Sequence, residues 1–268
     1  MEHPHWVPSS VDLTRPSAAR VYDYYLGGAH NFAVDRELAE QVIRELPELP
    51  RMTQANRAFL RRSVRFLMDR GVRQFLDIGS GIPTVGNVHE IAQRVDPHAR
   101  VVYVDNDPVA VAHSRALLTE QPNTAVVHAD LRDPVRLLAD PGVTALLDFD
   151  APIGLLMVAV LPFVPDCDRP AAAIAAYREA LAPGSYLVLS HATDDAGLDP
   201  EGRVKALYRR GSIQVVTRTR QQVTDLLDGF DMVDPGVVYL PLWHPDSAED
   251  VAEHPERSGA YGVVGRRV

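Results

Sequence analysis

Cysteine occurs once in the 268 residues, at Cys167, which excludes an internal disulfide framework and any cysteine-rich metal site. The blandest role for that thiol is a small buried or helix-start residue. Long hydrophobic runs are also missing. The longest, around Ile153 to Val164, is shorter than a membrane span, and the opening MEHPHWVPSS has neither the basic nor the apolar region of a secretory signal. These absences lead us to expect a cytoplasmic protein with no membrane partner. Positive charge is in deficit: 27 Lys and Arg against 36 Asp and Glu leave a net charge of -9, so the surface repels a polyanion and nucleic acid is not expected as a partner. The arginine-rich stretch Arg57 to Arg73 is the one place where a local basic patch can form. The ten histidines are scattered without metal-ligand spacing, so no metal is expected.

What is present is ordinary for a globular chain, 46% hydrophobic and 24% charged, and the length suits one domain over 1–268. Residues 1–70 read as an irregular arm and a helical segment. A helix from about Ser17 ends at Gly27-Gly28, a second spans about Asp35 to Leu46 and stops at Pro47, and a third runs from about Met52 to Asp69. From residue 71 strands and helices alternate, the signature of a doubly wound, mostly parallel sheet. Strands are predicted at Gln74 to Ile78, Val101 to Val104, Ala125 to His128, Gly154 to Val160 and Ser185 to Leu189. Helices are predicted near Val85 to Val95, Pro108 to Leu118, Pro134 to Ala139, Pro170 to Leu181, Arg203 to Arg210 and Thr219 to Leu227. Val88, Ile91, Ala92 and Val95 form a core stripe, with His89 and Glu90 toward solvent. Two last strands, Met232 to Leu240 and Ala260 to Arg267, flank a long polar loop and suit an antiparallel hairpin at one edge.

In such a sheet the ligand lies beyond the carboxyl ends of the strands. After the first strand, FLDIGSGIPT supplies Asp77, Gly79, Ser80, Gly81 and Pro83, where glycines let backbone approach a ligand. A dinucleotide and S-adenosylmethionine are the two candidates, and three departures favour the methyl donor. The third glycine of a dinucleotide fingerprint is Thr84. Asp77 can hold an α-ammonium and does nothing for a pyrophosphate. Asp130, after the third strand, can accept from an adenine amine. Asp105, ending the second strand, suits ribose hydroxyls in either case, and Asn106 can line the base. The plainer readings are that Asp105 and Asp107 cap the helix starting at Pro108, that Gly79 and Gly81 form an ordinary turn, and that Asp130 is a loop carboxylate.

The segments RVYDYYLGGAHNFAVD, ANRAFL, FLDIGSGIPTVGNVHEIAQ, RVVYVDNDPVAVAHSRALL, APIGLLMVAVLPFVPD and YLVLSHATDD together resemble an actinobacterial S-adenosylmethionine-dependent methyltransferase family long catalogued as a domain of unknown function. The resemblance covers about Arg15 to Val268. It implies a class I methyltransferase fold with a seven-stranded sheet and a Rossmann-like core over 71–268. It also implies contacts to the methyl donor at Asp77, Gly79, Gly81, Asp105, Asn106, Asp130 and Leu131, and S-adenosylhomocysteine as product. By family analogy alone, it implies secondary metabolism.

The acceptor is expected to be a small molecule methylated at O or N. After the fourth strand the chain reads Ala159-Val160-Leu161-Pro162-Phe163, without the polar head that orients nucleobase or amide nitrogens. Val160 is assigned to the cofactor side, and Leu161 and Phe163 to an apolar acceptor wall. His191, after the fifth strand, is the first general-base candidate and His30 the second, against the plainer reading of His191 as a histidine bonded to neighbouring backbone or a carboxylate. Tyr22 and Tyr25 share a helical face, and with His30, Asn31 and Phe32 they either pack the N-terminal segment onto the sheet or close over the site as a lid hinged at Gly27-Gly28. Arg57, on the third helix, either faces the pocket or lies on a solvated face, and the latter is the plainer reading. Two other classes stay open: a non-catalytic S-adenosylmethionine-binding sensor or scaffold, and a nicotinamide-dependent oxidoreductase.

Overall fold

A computed structural model describes residues 12–83, 86–251 and 253–268. Three helices come first: α1 (Ala18–Tyr25), α2 (Ala33–Glu45) and α3 (Leu49–Asp69). The alternating part follows as β1 (Gln74–Ile78), α4 (Val88–Val95), β2 (Arg100–Asp105), α5 (Pro108–Leu118), β3 (Thr124–His128), α6 (Pro134–Leu138), α7 (Pro141–Thr144), β4 (Gly154–Val158), α8 (Pro170–Ala180) and β5 (Tyr186–Ala192). The chain ends with α9 (Arg203–Arg210), α10 (Arg220–Asp225), β6 (Asp231–Met232), β7 (Val238–Tyr239) and β8 (Ala260–Arg266).

The strands form one sheet in the order β3-β2-β1-β4-β5-β8-β6, with β7 also on β8. The first five pair in parallel, and β8 runs antiparallel to β5, β6 and β7. β1 and β4 are neighbours although far apart in the chain. The winding therefore reverses between them, and the carboxyl ends of β1, β2 and β4 face a crevice. Along β1, alternate side chains go to opposite faces: Leu76 and Ile78 join one core with α8 and α10, while Phe75 joins the other with α3 and α4. Burial on both faces explains why the parallel strands read as nearly continuous apolar runs. Asp-Pro pairs start α5, α6 and α7. Each acid accepts a backbone N–H of the first turn, and proline at the first helical position needs no such partner.

Four expectations change. β4 stops at Val158, because Ala159 takes a left-handed φ of 59° and Leu161–Phe163 coil into a 3-10 turn. β5 runs on to Ala192, held by pairing with β8 as far as Ala192 opposite Ala260, so His191 lies within the strand. Met232 to Leu240 is not one strand: Pro235 lacks a donor and Gly236 has φ 77°, which splits it into β6 and β7 and gives eight strands instead of seven. The polar loop before β8 is anchored, because Trp243 is fully buried edge-on to Phe59 and Phe66 at 5.3 and 5.2 Å. The helix start at Val85, and Thr84, lie outside the described residues. On α4, Val95 is 55% exposed, and His89 is buried with its ring bonded to the Tyr103 hydroxyl at 2.7 Å. Cys167 is exposed, just ahead of α8.

Candidate functional site: a cleft at the carboxyl edge of the sheet

A cleft of about 430 Å³ opens where the winding reverses. Of the ten residues expected to hold the cofactor, nine line it: Asp77, Gly79, Ser80, Gly81, Asp105, Asn106, Asp130, Leu131 and Val160. Pro83 does not, and lines a neighbouring cavity instead. Gly79 and Gly81 both take left-handed φ, 74° and 67°. A Cβ on Gly79 would lie 2.2 Å from a methyl of Val160, so glycine is needed there for close approach as well as for conformation.

The acids differ in what they already hold. Asp105 ties the corner together, since its two oxygens accept from Gly81 N–H at 2.7 Å and Asp107 N–H at 2.8 Å. Burial pushes its carboxyl up to about 6, against those two N–H bonds. Asp77 is 6% exposed. Burial drives it up to about 7, Arg57 works in the opposite direction and Asp105 adds to the rise. Asp130 is clasped by Arg132, whose Nε lies 2.9 and 3.0 Å from its two oxygens, and this contact holds its pKa below the usual carboxylate range.

α1 forms the opposite wall, with Tyr22, Asp23 and Leu26 lining the same cleft as Asp77. A buried network fixes it there. Arg20 Nε bonds Asp35 at 2.9 Å and its guanidinium lies 3.8 Å from Asp107, while the Ser17 hydroxyl donates to Asp107. The loop after α1 wraps Asp23, which accepts from His30 N–H at 2.9 Å and the Asn31 amide at 2.8 Å. Gly28 packs so tightly that a Cβ would lie 2.0 Å from Asp23 Oδ1. Asn31 is thus a loop-fixing residue. Phe32 caps α2 and lies under the Arg20 guanidinium at 5.2 Å, and neither residue lines the cleft. His30 lines the neighbouring cavity, edge-on to His113. Tyr25 turns to a separate pocket against α9, its hydroxyl 2.8 Å from that of Tyr208. The cap over the sheet is therefore α1 and α2 packed with α9 through Val21, Leu38, Val42 and Tyr208, an association that sequence reading of residues 1–70 missed.

His191 is fully buried. Its Nδ1 donates to the Ala192 carbonyl at 2.8 Å and its Nε2 accepts from Arg218 Nη1 at 2.5 Å, because a carbonyl only accepts and a guanidinium only donates. Burial lowers its pKa to about 4, with Arg218 adding to the fall. Both nitrogens are engaged and the ring lies outside the cleft, so the plainer reading fits this histidine. Leu161 is also core, its carbonyl accepting from Arg218 at 3.3 Å, whereas Phe163 lines the cleft.

Besides Asp23, two polar residues of α3 reach the cleft: Asn56, which the sequence reading did not single out, and Arg57, for which it preferred a solvated face. Arg57 lines the cleft and donates to the Gly86 carbonyl at 3.1 Å. Asn56, one residue earlier on α3, links Ser190 to Tyr22: its Oδ1 accepts from Ser190 Oγ at 2.6 Å and its Nδ2 donates to the Tyr22 hydroxyl at 2.9 Å. The sequence signal for them is faint, since Arg57 is one of several arginines on α3 and Asn56 stands alone beside it.

S-adenosylmethionine fits the donor set. Asp23 lines the cleft with Asp77 and Arg57, and its buried Oδ1, 4.0 Å from His30 Nδ1, has no hydrogen-bond partner among the described residues, so an ammonium and a carboxylate can both be met there. Among the described residues no group of three or more His, Cys, Asp or Glu is arranged to hold a metal ion, and no helix is long and apolar enough to cross a membrane.

A mixed sheet in this order, acids ending β1 and β2, and a glycine turn between them define a class I methyltransferase fold. The S-adenosyl methyltransferase family model matches residues 4–268, and the chain belongs to that family. It is similar to a presumed methyltransferase of Thermobifida fusca YX, at 41% identity over 98% of this chain and 99% of that one, with a TM-score of 0.91. It is also similar to a DUF574 family protein of Streptomyces avermitilis, at 39% identity over 96% and 99%, also at 0.91. A short match, 38% over 63 residues, joins it to the ribosomal RNA small subunit methyltransferase H of Halorhodospira halophila. That match spans 24% of this chain and 19% of the relative.

Proposed function

We propose that this protein transfers a methyl group from S-adenosylmethionine to an oxygen or nitrogen of a small molecule. The observation that carries the reading is one cleft lined by two buried carboxylates, Asp77 and Asp105, with the orphaned Asp23 oxygen and Arg57 opposite. In this reading Asp77 and Asp23 take the α-ammonium of the methionyl end and Arg57 its carboxylate. Asp105 has lone pairs left over from its two backbone bonds for ribose hydroxyls. Asn106 and Leu131 border the adenine, and Asp130 shares its carboxylate between Arg132 and the exocyclic amine. When bound, the cofactor would supply an activated methyl on a cationic sulfur and leave as neutral S-adenosylhomocysteine, with the acceptor's proton released to bulk solvent as the products depart. The chain's part is alignment and exclusion of water, through α1, Val160 and Phe163.

A ribosomal RNA acceptor gains little support, given the short match and a net charge of -9. The engaged nitrogens of His191 favour one second reading, a sensor that binds the cofactor without turnover. Calorimetry with S-adenosylmethionine, S-adenosylhomocysteine and NAD tests the site. Binding of the first two, weakened at least tenfold in Asp77→Ala, is expected, and binding of NAD alone overturns the reading. Release of S-adenosylhomocysteine on incubation with extracts of small metabolites separates enzyme from sensor.

A further inference from the structure

A second cavity of about 170 Å³ adjoins the cleft and shares Tyr22, Asn56, Ala159 and Phe163 with it. These four residues are the doorway between the two. Beyond it, the wall is built by Leu46, Leu49, Met52, Val204 and Val215 from the helical cap, and by Pro162 from the turn after β4. The polar groups around this room are already engaged. The Tyr25 and Tyr208 hydroxyls bond each other, His191 is held as described, the Thr53 hydroxyl donates to the Pro50 carbonyl at 2.8 Å, and the Lys205 ammonium is held by Asp194 and by Thr217 at 2.8 Å.

The doorway is different. Ala159, in its left-handed conformation, donates its N–H to Ser190 Oγ at 2.9 Å; Ser190 donates to Asn56, and Asn56 to the Tyr22 hydroxyl. The proton of that hydroxyl points at the Thr53 carbonyl across 3.4 Å, too long for a strong bond. Tyr22 is therefore oriented by Asn56 while its own proton is only loosely engaged. Burial pushes the phenol up, so it keeps that proton at neutral pH.

An in-line transfer needs the acceptor atom beside the methyl-bearing end of the cofactor with the rest of the acceptor behind it; of the two cavities that share walls with the cleft, the one lined by Pro83 and His30 lies past Asp23 and Arg57, the side read above as the methionyl carboxylate and ammonium, which leaves the smaller one. Size and polarity then select the occupant. An apolar cavity of about 150 Å³ accommodates benzene, so the room here suits one ring. The charged groups on its rim already have partners, Lys205 with Asp194 and Asp199 with the backbone N–H groups of Val204 and Lys205 at 3.3 Å, so a charged substituent inside would lose its hydration against groups already engaged. Resting on the methyltransferase reading above, we propose that this smaller cavity is the acceptor site, and that it takes an uncharged one-ring compound whose hydroxyl lies at the doorway, accepting from Tyr22 with one lone pair and keeping the other for the methyl group.

The test is ligand-observed NMR with phenol, toluene, benzoate and benzylamine, on the protein alone and with S-adenosylhomocysteine. Phenol is expected to bind at least tenfold more tightly than benzoate or benzylamine. Val215→Trp and Leu49→Trp, which touch the second cavity only, are expected to weaken phenol at least tenfold while leaving S-adenosylhomocysteine affinity within about twofold. Tyr22→Phe is expected to weaken phenol several-fold and leave toluene unchanged. Equal binding of the charged rings, no binding of any neutral ring, or wild-type phenol affinity in both tryptophan variants overturns the assignment. Crystals soaked with 4-iodophenol give a check that needs no variant: iodine density beside Val215 supports the site, and density elsewhere overturns it. If S-adenosylhomocysteine binds and no ring does, the acceptor site is wrong and the cofactor reading stands; if S-adenosylhomocysteine itself fails to bind, the cofactor reading is what falls.

Discussion

Replacing Asp77 with asparagine should stabilise the protein at alkaline pH while weakening its hold on the cofactor. The carboxyl lies in the middle of the sheet, where burial, with a contribution from Asp105, lifts it from 3.8 to about 7. Between those values the folded protein keeps a proton that the unfolded chain has released. The associated stability is therefore complete below about pH 4 and is lost as pH rises toward 7. At about 1.36 kcal/mol per pH unit, the full gap of roughly 3 units sets a ceiling of about 4 kcal/mol. An amide carries no such burden, so the advantage of Asp77→Asn over the wild type should grow by roughly 2 to 3 kcal/mol between pH 5 and pH 8.5. His191 acts in the opposite sense, since its lowered pKa adds stability as pH rises from about 4 toward 6.5, but it is common to both proteins and cancels in the difference. Urea unfolding at the two pH values measures that difference, and calorimetry measures S-adenosylmethionine affinity, expected to fall at least tenfold. A difference that is flat with pH would refute the charge burial; unchanged affinity would refute the ammonium contact.

Three further outcomes can be checked. Gly79→Ala combines a left-handed backbone with a contact of 2.2 Å to Val160, and should cost roughly 2 to 4 kcal/mol in chemical denaturation; adding Val160→Gly should recover at least about 1 kcal/mol, and a fully stable single variant would contradict the packing. Arg57→Met should raise the Asp77 pKa further and weaken S-adenosylhomocysteine at least tenfold by calorimetry, and an unaltered affinity would remove Arg57 from the site. The His191 ring should show no titration between pH 5.5 and 8.5 by NMR, because its pKa is pushed down to about 4; a midpoint near 6.5 would restore it as a base candidate.

The sheet was readable because its strands are buried on both faces and bounded by Asp-Pro starts and glycine stops, so β1 and α5 match their expected spans residue for residue. The acids at the strand ends were readable for a related reason, since position in a parallel sheet dictates where they point. The rest of the site was not local information. Asp23, Asn56 and Arg57 reach the cleft only because α1 and α3 dock across it, and nothing in the spacing of a helix with many arginines says which one faces inward. His191 looked free because the strand was read as ending at Leu189, and its extension depends on a partner strand some seventy residues later. The break between β6 and β7 did have a local signal, Asp234-Pro235-Gly236, which the apolar residues on either side outweighed.

β8, made some seventy residues after β5, lies between β5 and the β6–β7 pair. Until residue 266 has left the ribosome, β5 lacks one of its two neighbours, and a strand of almost wholly apolar composition presents a bare edge. Completion of the sheet therefore waits until β8 has been made, and the nascent chain passes through a period in which it invites chaperones or self-association. Trimming past residue 259 would make that exposure permanent, so recombinant tags belong where they leave the final strand intact.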